Sequence, residues 1–117
     1  GRESAHVGYS GDFFATAVVL AGGAVPPGLH SVSFAPTLRG QPARQARHEH
    51  LYWEFHENGF SQALLLDGRW KAIRNRRADA PIELYDLRSD LREERNLAAT
   101  ERALVERARN LFATART

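Results

Sequence analysis

Five side chains that can donate, accept or hold protons recur at alternate positions in one short stretch: His48, His50, Tyr52, Glu54 and His56. Residues two apart on an extended strand point to the same side, so a strand here predicts a row of imidazoles, a phenol and a carboxylate. Such a row could contact a substrate anion or form one wall of an acid–base site near neutral pH. A small zinc hydrolase using His48, His50 and Glu54 is a third chemistry. Against it, side chains at i and i+2 lie about 6.6 to 6.8 Å apart along a straight strand, too far for three ligands of one ion without a bulge. A plain solvated or hydrogen-bonded face needs none of these roles.

Other chemistries are excluded by type or spacing. There is no cysteine, hence no disulfide, thiolate nucleophile or thiolate-ligated metal. The chain lacks a phosphate-cradling Gly-rich loop ending in Lys-Ser or Lys-Thr, a dinucleotide fingerprint, a His-Glu-x-x-His helix, a calcium loop and a Gly-x-Ser-x-Gly elbow. Gly8-Tyr9-Ser10-Gly11 has neither the spacing nor the strand of that elbow, and Ser10, Ser31, Ser33, Ser61 and Ser89 read as loop or cap residues. Trp53 and Trp70 could stack on a sugar, but aromatic packing in a sheet is the simpler role; Tyr85 reads as core with a partner for its hydroxyl. The net charge is +2 with Lys71 the one lysine, and acids interrupt the arginines nearly everywhere, so Arg74, Arg76 and Arg77 read as a solvated turn flank and no nucleic-acid partner is expected. The most apolar run, Phe13 to Val25, is too short to cross a bilayer, so no membrane partner is expected. The compartment stays open between cytoplasm and periplasm.

The elements that would position these groups follow from periodicity. A chain of 117 residues makes one domain. Asp12 is placed to cap a helix carrying Phe13, Phe14, Ala17, Val18, Leu20 and Ala21, apolar on more than one side and stopped by Gly22-Gly23. Val25-Pro26-Pro27-Gly28 is a stiff turn, Ser33 to Leu38 makes one or two helical turns with Pro36 near their start, and Gly40 to Arg47 is an exposed, Arg-rich connection. The period then changes to two. His48 to His56 is a strand whose core face would be Leu51, Trp53 and Phe55. Phe60–Leu66 and Arg69–Asn75 flank the hairpin signal Asp67-Gly68, and Ile82 to Leu87 is a further strand. Asp90 and Glu93 suggest a capped helical turn. Thr100 would cap a helix from about Glu101 to Ala115, burying Leu104, Ala108, Leu111 and Ala115, widened by Val105 and Phe112. The expected fold class is α+β: a small antiparallel sheet of about four strands packed by a C-terminal helix, with residues 1–47 as helix and loops and residues 48–117 as sheet plus helix.

Read in order, several blocks resemble the C-terminal portion of the sulfatase family, the arylsulfatase-like members of the alkaline-phosphatase-like superfamily. Asp12-Phe13-Phe14-Ala15-Thr16 with the apolar run to Leu20-Ala21-Gly22 is similar to a family segment reading Asp, two variable residues, Pro-Thr and then Leu-Ala-Gly. Pro27 to Gly40 resembles its Gly-Val-Ser and Leu-x-Gly stretch. His48-Glu49-His50-Leu51-Tyr52-Trp53-Glu54-Phe55, Gln62-Ala63 with Asp67 to Arg74, Glu83-Leu84-Tyr85-Asp86-Leu87 and Glu93 to Ala98 resemble the succeeding blocks. Ala15 stands where the family usually has Pro, and Leu91 where a Pro often follows Asp.

The resemblance implies a piece of a larger enzyme that hydrolyses sulfate esters, occasionally sulfamates, with a formylglycine made in a Cys/Ser-x-Pro-x-Arg motif and a bound calcium. That motif is absent from the chain. The expected assignments are therefore no catalytic residue, cofactor or metal in this chain, with calcium and formylglycine belonging to the parent. The expected partner is the missing N-terminal sulfatase catalytic domain, on which the apolar first helix would pack. His48, Glu49 and His50 are the residues expected at the rim of the substrate cleft, with the preceding arginines as anion contacts. The competing expectation is a non-catalytic α+β binding or oligomerisation module, with a homodimer covering the first helix.

Overall fold

The computed structural model describes residues 3–115. The chain forms two compact units, Gly1–His48 and Glu49–Thr117.

In the first unit, helix α1 spans Asp12–Leu20, helix α2 spans Ala35–Leu38, and a 3₁₀ turn spans Pro42–Arg44. One side of α1 is covered: Asp12, Ala15 and Thr16 are buried, whereas Phe13, Phe14 and Leu20 remain 69%, 54% and 49% exposed. The Thr16 hydroxyl donates back to the Asp12 carbonyl (2.7 Å) and accepts the Phe34 N–H (2.9 Å), which fixes the approach to α2. Gly22-Gly23 ends the helix as expected. Gly23 N–H reaches the Val18 carbonyl and Gly22 N–H the Val19 carbonyl, with Gly22 at φ +80°, so two otherwise orphaned carbonyls are satisfied. Asp12 does not cap the helix. Gly11 occupies that position and Asp12 is the first helical residue, its carboxylate turned elsewhere. The exposed connection after Gly40 is fixed rather than loose. The Gln45 side chain accepts the Thr37 N–H (3.1 Å) and hydroxyl (2.6 Å) and donates to the carbonyls of Ser33 (2.9 Å) and Ala46 (2.8 Å).

The second unit is a four-stranded antiparallel meander in the order β1 (His50–Phe55), β2 (Ser61–Leu66), β3 (Trp70–Arg74), β4 (Glu83–Asp86), followed by helix α3 (Arg102–Thr114). This is the α+β architecture expected. Asp67 and Gly68 sit at φ +53° and +63°, the pair of positive values a type I′ turn needs. A second hairpin turn, at Asn58-Gly59 (φ +56° and +112°), joins β1 to β2 and was not anticipated, although Asn-Gly is as strong a signal.

One face of the sheet carries the core. Leu64 and Leu66 of β2, Ala72 of β3 and Leu84 of β4 are fully buried with Ile82 against Ala108 and Phe112 of α3. Burying each leucine contributes about 1.5–3 kcal/mol. Register decides what shares this face: His50 pairs Leu66, Tyr52 pairs Leu64 and Glu54 pairs Gln62. The expected polarity of β1 is therefore inverted. Its polar row lies on the helix-covered side, and Leu51, Trp53 and Phe55 lie on the opposite side, where Trp53 is 36% and Phe55 54% exposed. Arg69 clamps β3 to β4 through a bidentate bond to Asp86 (2.9 and 2.7 Å) and lies 4.4 Å over the Trp70 ring. The Arg69 guanidinium first, then the Arg88 N–H and the Ser89 hydroxyl, hold the Asp86 carboxyl far below its ordinary range against the opposing effect of burial.

Two capping expectations are corrected. Asp90 and Glu93 make a turn, not a helical one: Glu93 has φ +57°, and the Asp90 carboxylate accepts the N–H groups of Glu94 and Arg95. Thr100 does not cap α3. Its hydroxyl donates to the Leu97 carbonyl, and Glu101 holds the cap position without a side-chain bond. In α3 Ala108 and Phe112 are buried, with Leu104, Val105 and Leu111 half-buried beside them.

At Gly59, an added Cβ would stand 2.6 Å from the Arg76 carbonyl oxygen, the acceptor of the Phe60 N–H. Strain at such a backbone position costs on the order of 1–3 kcal/mol. Gly59→Ala should lower unfolding stability in urea by about that amount, while Gly68→Asn, in a region Asn tolerates, should be nearly neutral.

Candidate functional site

His48, Glu49 and His50 occupy three different settings. The strand begins at His50, so His48 is not on it and closes the first unit instead. Its Nε2 lies 2.9 Å from both carboxylate oxygens of Asp12, and the ring is 11% exposed with Tyr9 edge-on at 5.5 Å. Asp12 itself is fully buried and also accepts the N–H groups of Tyr9 (3.1 Å) and Val32 (2.8 Å). Burial would push this carboxyl up; the Val32 N–H, His48 and the Tyr9 N–H together outweigh it and leave the acid below its ordinary value. An ionised carboxylate only accepts, so the His48 Nε2 carries the hydrogen of this bond, which leaves Nδ1 as the other polar atom of the ring. Nearby, the buried His6 Nε2 has no hydrogen-bond partner, and an added Cβ on Gly8 would lie 3.5 Å from it and 3.0 Å from Asp12 Oδ2.

In the second unit the Glu49 carbonyl accepts the Asp67 N–H (3.1 Å) while its side chain is exposed. His50 is half-buried on the α3 face. Further along that face the row becomes a connected network. The Tyr52 hydroxyl donates to Glu54 and accepts from the Gln62 amide (2.9 Å). Gln62 also donates to the Phe112 carbonyl (3.3 Å), in the last turn of α3. Arg74 bonds the Gln62 amide oxygen (3.4 Å) and the Ala78 carbonyl (2.6 Å), its guanidinium 5.1 Å from the Phe112 ring. His56 lies beyond the strand end, against Phe60, with Nε2 3.5 Å from a Glu54 oxygen. The expected row thus divides: Tyr52 and Glu54 support α3, and His48 belongs to another network altogether. Asp12, Thr16 and Gln62, the three most buried polar side chains with long-range bonds, carried no signal of those bonds beyond their places in the family-like blocks.

The donor set for a metal or formylglycine is not here. The chain has no Cys/Ser-x-Pro-x-Arg segment, and among the described residues no group of three or more His, Cys, Asp or Glu could hold a metal ion. No helix of the described residues is long and apolar enough to cross a membrane.

Removing the Asp12 carboxylate strands two N–H groups and His48. Asp12→Ala should therefore cost on the order of 3 kcal/mol in chemical denaturation at neutral pH. Because this acid is lowered on folding, its stabilisation is present above the ordinary Asp range and is lost as pH falls through the lowered value; the variant should lack that acid limb of the stability curve. Tyr85, buried, donates to Glu83 Oε2 (2.5 Å), which with burial pushes its phenol up to about 12. Its contribution is complete below the ordinary tyrosine range and declines as pH rises through about 12. Alkaline absorbance titration should show a late-ionising tyrosine that Tyr85→Phe removes.

Solved structures match most of this chain but little of their own. A candidate sulfatase from Bacteroides thetaiotaomicron VPI-5482 is 29% identical with a TM-score of 0.71, over 87% of this chain and 23% of that one. A 2-O glycosaminoglycan sulfatase is 29% identical with a TM-score of 0.62, over 88% and 25%. A protein solved with its substrate D-glucosamine-2-N,6-O-disulfate is 21% identical with a TM-score of 0.63, over 87% and 24%, a likeness of fold alone. No family model and no curated protein matches the chain. The chain spans about a quarter of the solved structures that it resembles. It is structurally homologous to that part of sulfatase-family, alkaline-phosphatase-like folds.

Proposed function

We propose that this chain is the C-terminal piece of a sulfatase that hydrolyses sulfate esters, supplying packing surface and a part of the substrate-cleft wall while the catalytic centre lies in the rest of the polypeptide. The observation that carries the reading is the outward side of α1. Phe13, Phe14 and Leu20 stand at 69%, 54% and 49% exposure on a helix of nine residues. Apolar area so concentrated marks a surface built to be covered, and the matched structures are about four times longer than this chain. The proposed cover is the large catalytic domain, which would bring the formylglycine and the calcium.

His48, Glu49 and His50 are the proposed rim residues. Of these, His48 is best prepared for the task, because Asp12 holds its ring and leaves Nδ1 without a partner among the described residues. A ring fixed in this way can accept from a sugar hydroxyl, or donate to an anion when protonated, with little orientational cost.

The test is reconstitution. The isolated chain should release no sulfate from aryl or saccharide sulfates, and joining it to the polypeptide encoded before it should yield a sulfatase dependent on calcium. In the joined enzyme His48→Gln should raise KM at least severalfold. Turnover by the isolated chain, or its assembly into a homodimer that covers Phe13 and Phe14, would overturn the proposal.

A further inference from the structure

Positive charge is distributed unevenly between the two units. Between Asp12 and Glu49 the sequence contains no acidic residue, yet it carries Arg39, Arg44 and Arg47. All three are exposed, and none has an ion-pair or hydrogen-bond partner for its guanidinium among the described residues. The second unit differs, for its acidic and basic residues are equal in number and Arg69, Arg77, Arg92, Arg107 and Arg109 each face a carboxylate. Unpaired guanidiniums in water gain little for the fold, so their placement carries no stability explanation.

The backbone beneath them is prearranged. Arg39 caps α2, Gly40 takes φ +72°, Pro42 opens the 3₁₀ turn that holds Arg44, and the four bonds of Gln45 fix the stretch leading to Arg47. A ligand meeting these cations pays for ordering side chains, not for ordering a loop. Planar guanidiniums match sulfate and carboxylate oxygens two at a time. No aromatic residue lies between Arg39 and His48, so single-stranded nucleic acid would find no ring to stack on.

We infer that Arg39, Arg44 and Arg47 form a docking strip for a sulfated polysaccharide, gripping anionic groups other than the one being hydrolysed. The class of anion rests on the sulfatase reading; the charge and geometry do not. The strip lies wholly in the first unit and next to His48 in sequence, so it extends the proposed rim along a polymer.

The experiment measures binding of heparin by calorimetry across a salt series, with the 117-residue chain and with the joined enzyme. R39Q/R44Q/R47Q should weaken heparin binding at least about tenfold and flatten the salt dependence, while R76Q/R88Q/R95Q, equally exposed arginines of the second unit, should change it less than about twofold. Circular dichroism should show both triples folded. Equal losses in the two triples, or no loss in the first, would overturn the strip. So would tighter binding of an oligothymidylate or of anionic phospholipid vesicles than of heparin at the same salt. Sulfate release by the joined enzyme is read separately: heparin binding that needs the three arginines in a protein that never releases sulfate would keep the strip and sink the sulfatase reading.

Discussion

Cover on one face of the sheet is the constraint from which the second unit follows. Phe112 and Ala108 of α3 close over Leu64, Leu66, Ala72 and Leu84, and every strand must present its matching residues to that side. Because pairing is antiparallel and in fixed register, the choice made by β2 propagates outward. Tyr52, Gln62 and Arg74 are drawn to the helix side by the same rule, and there they bond one another and the Phe112 carbonyl, only the buried Arg74 Nε being left without a partner among the described residues. Polar groups at the edge of an apolar core are tolerated because they are bonded, and the bonds place the end of the helix.

The first unit answers a different constraint. A fully buried carboxylate is costly unless its oxygens are occupied, and Asp12 occupies them with two backbone N–H groups and an imidazole from opposite ends of the unit. One side chain thereby gathers the stretch before α1, the segment before α2 and the residue that closes the unit. Around it Phe13, Phe14 and Leu20 of α1 are left exposed, while the buried residues are Asp12, Thr16 and two small apolar ones, Ala15 and Ala35, so the largest apolar side chains of this unit are not the ones it buries.

Much of this was readable from residue types. Asp67-Gly68 demanded a tight hairpin, Gly22-Gly23 demanded a helix end, and the period of Leu104, Ala108, Leu111 and Ala115, widened by Val105 and Phe112, gave the face of α3, although Phe112 is buried more deeply than Leu104 or Leu111. The polarity of β1 was not readable, because Leu51, Trp53 and Phe55 on one side and Tyr52 on the other are all large enough to be core, and only the neighbouring strand decides. Alternation reports that a strand has two unlike faces; it does not report which one a helix will cover. His48 was misplaced for a related reason. Its spacing from His50 suited a strand, but its bond partner lies at Asp12, far away in sequence and invisible to any local pattern. The same distance hid the role of Asp12, which looked like a cap.

The meander has a temporal side as well. Each strand of the second unit pairs with the strand just made, so β1 to β4 can assemble through contacts that are close in sequence, the kind that form quickly. Their lid, α3, follows all four strands in the chain. Until Ala108 and Phe112 exist, Leu64, Leu66 and Leu84 face water on a finished but uncovered sheet, a surface that invites chaperones or other nascent chains. A chain interrupted before α3 would thus leave a paired sheet with a sticky face, so the solubility of this unit hangs on Arg102–Thr114 following its strands without delay.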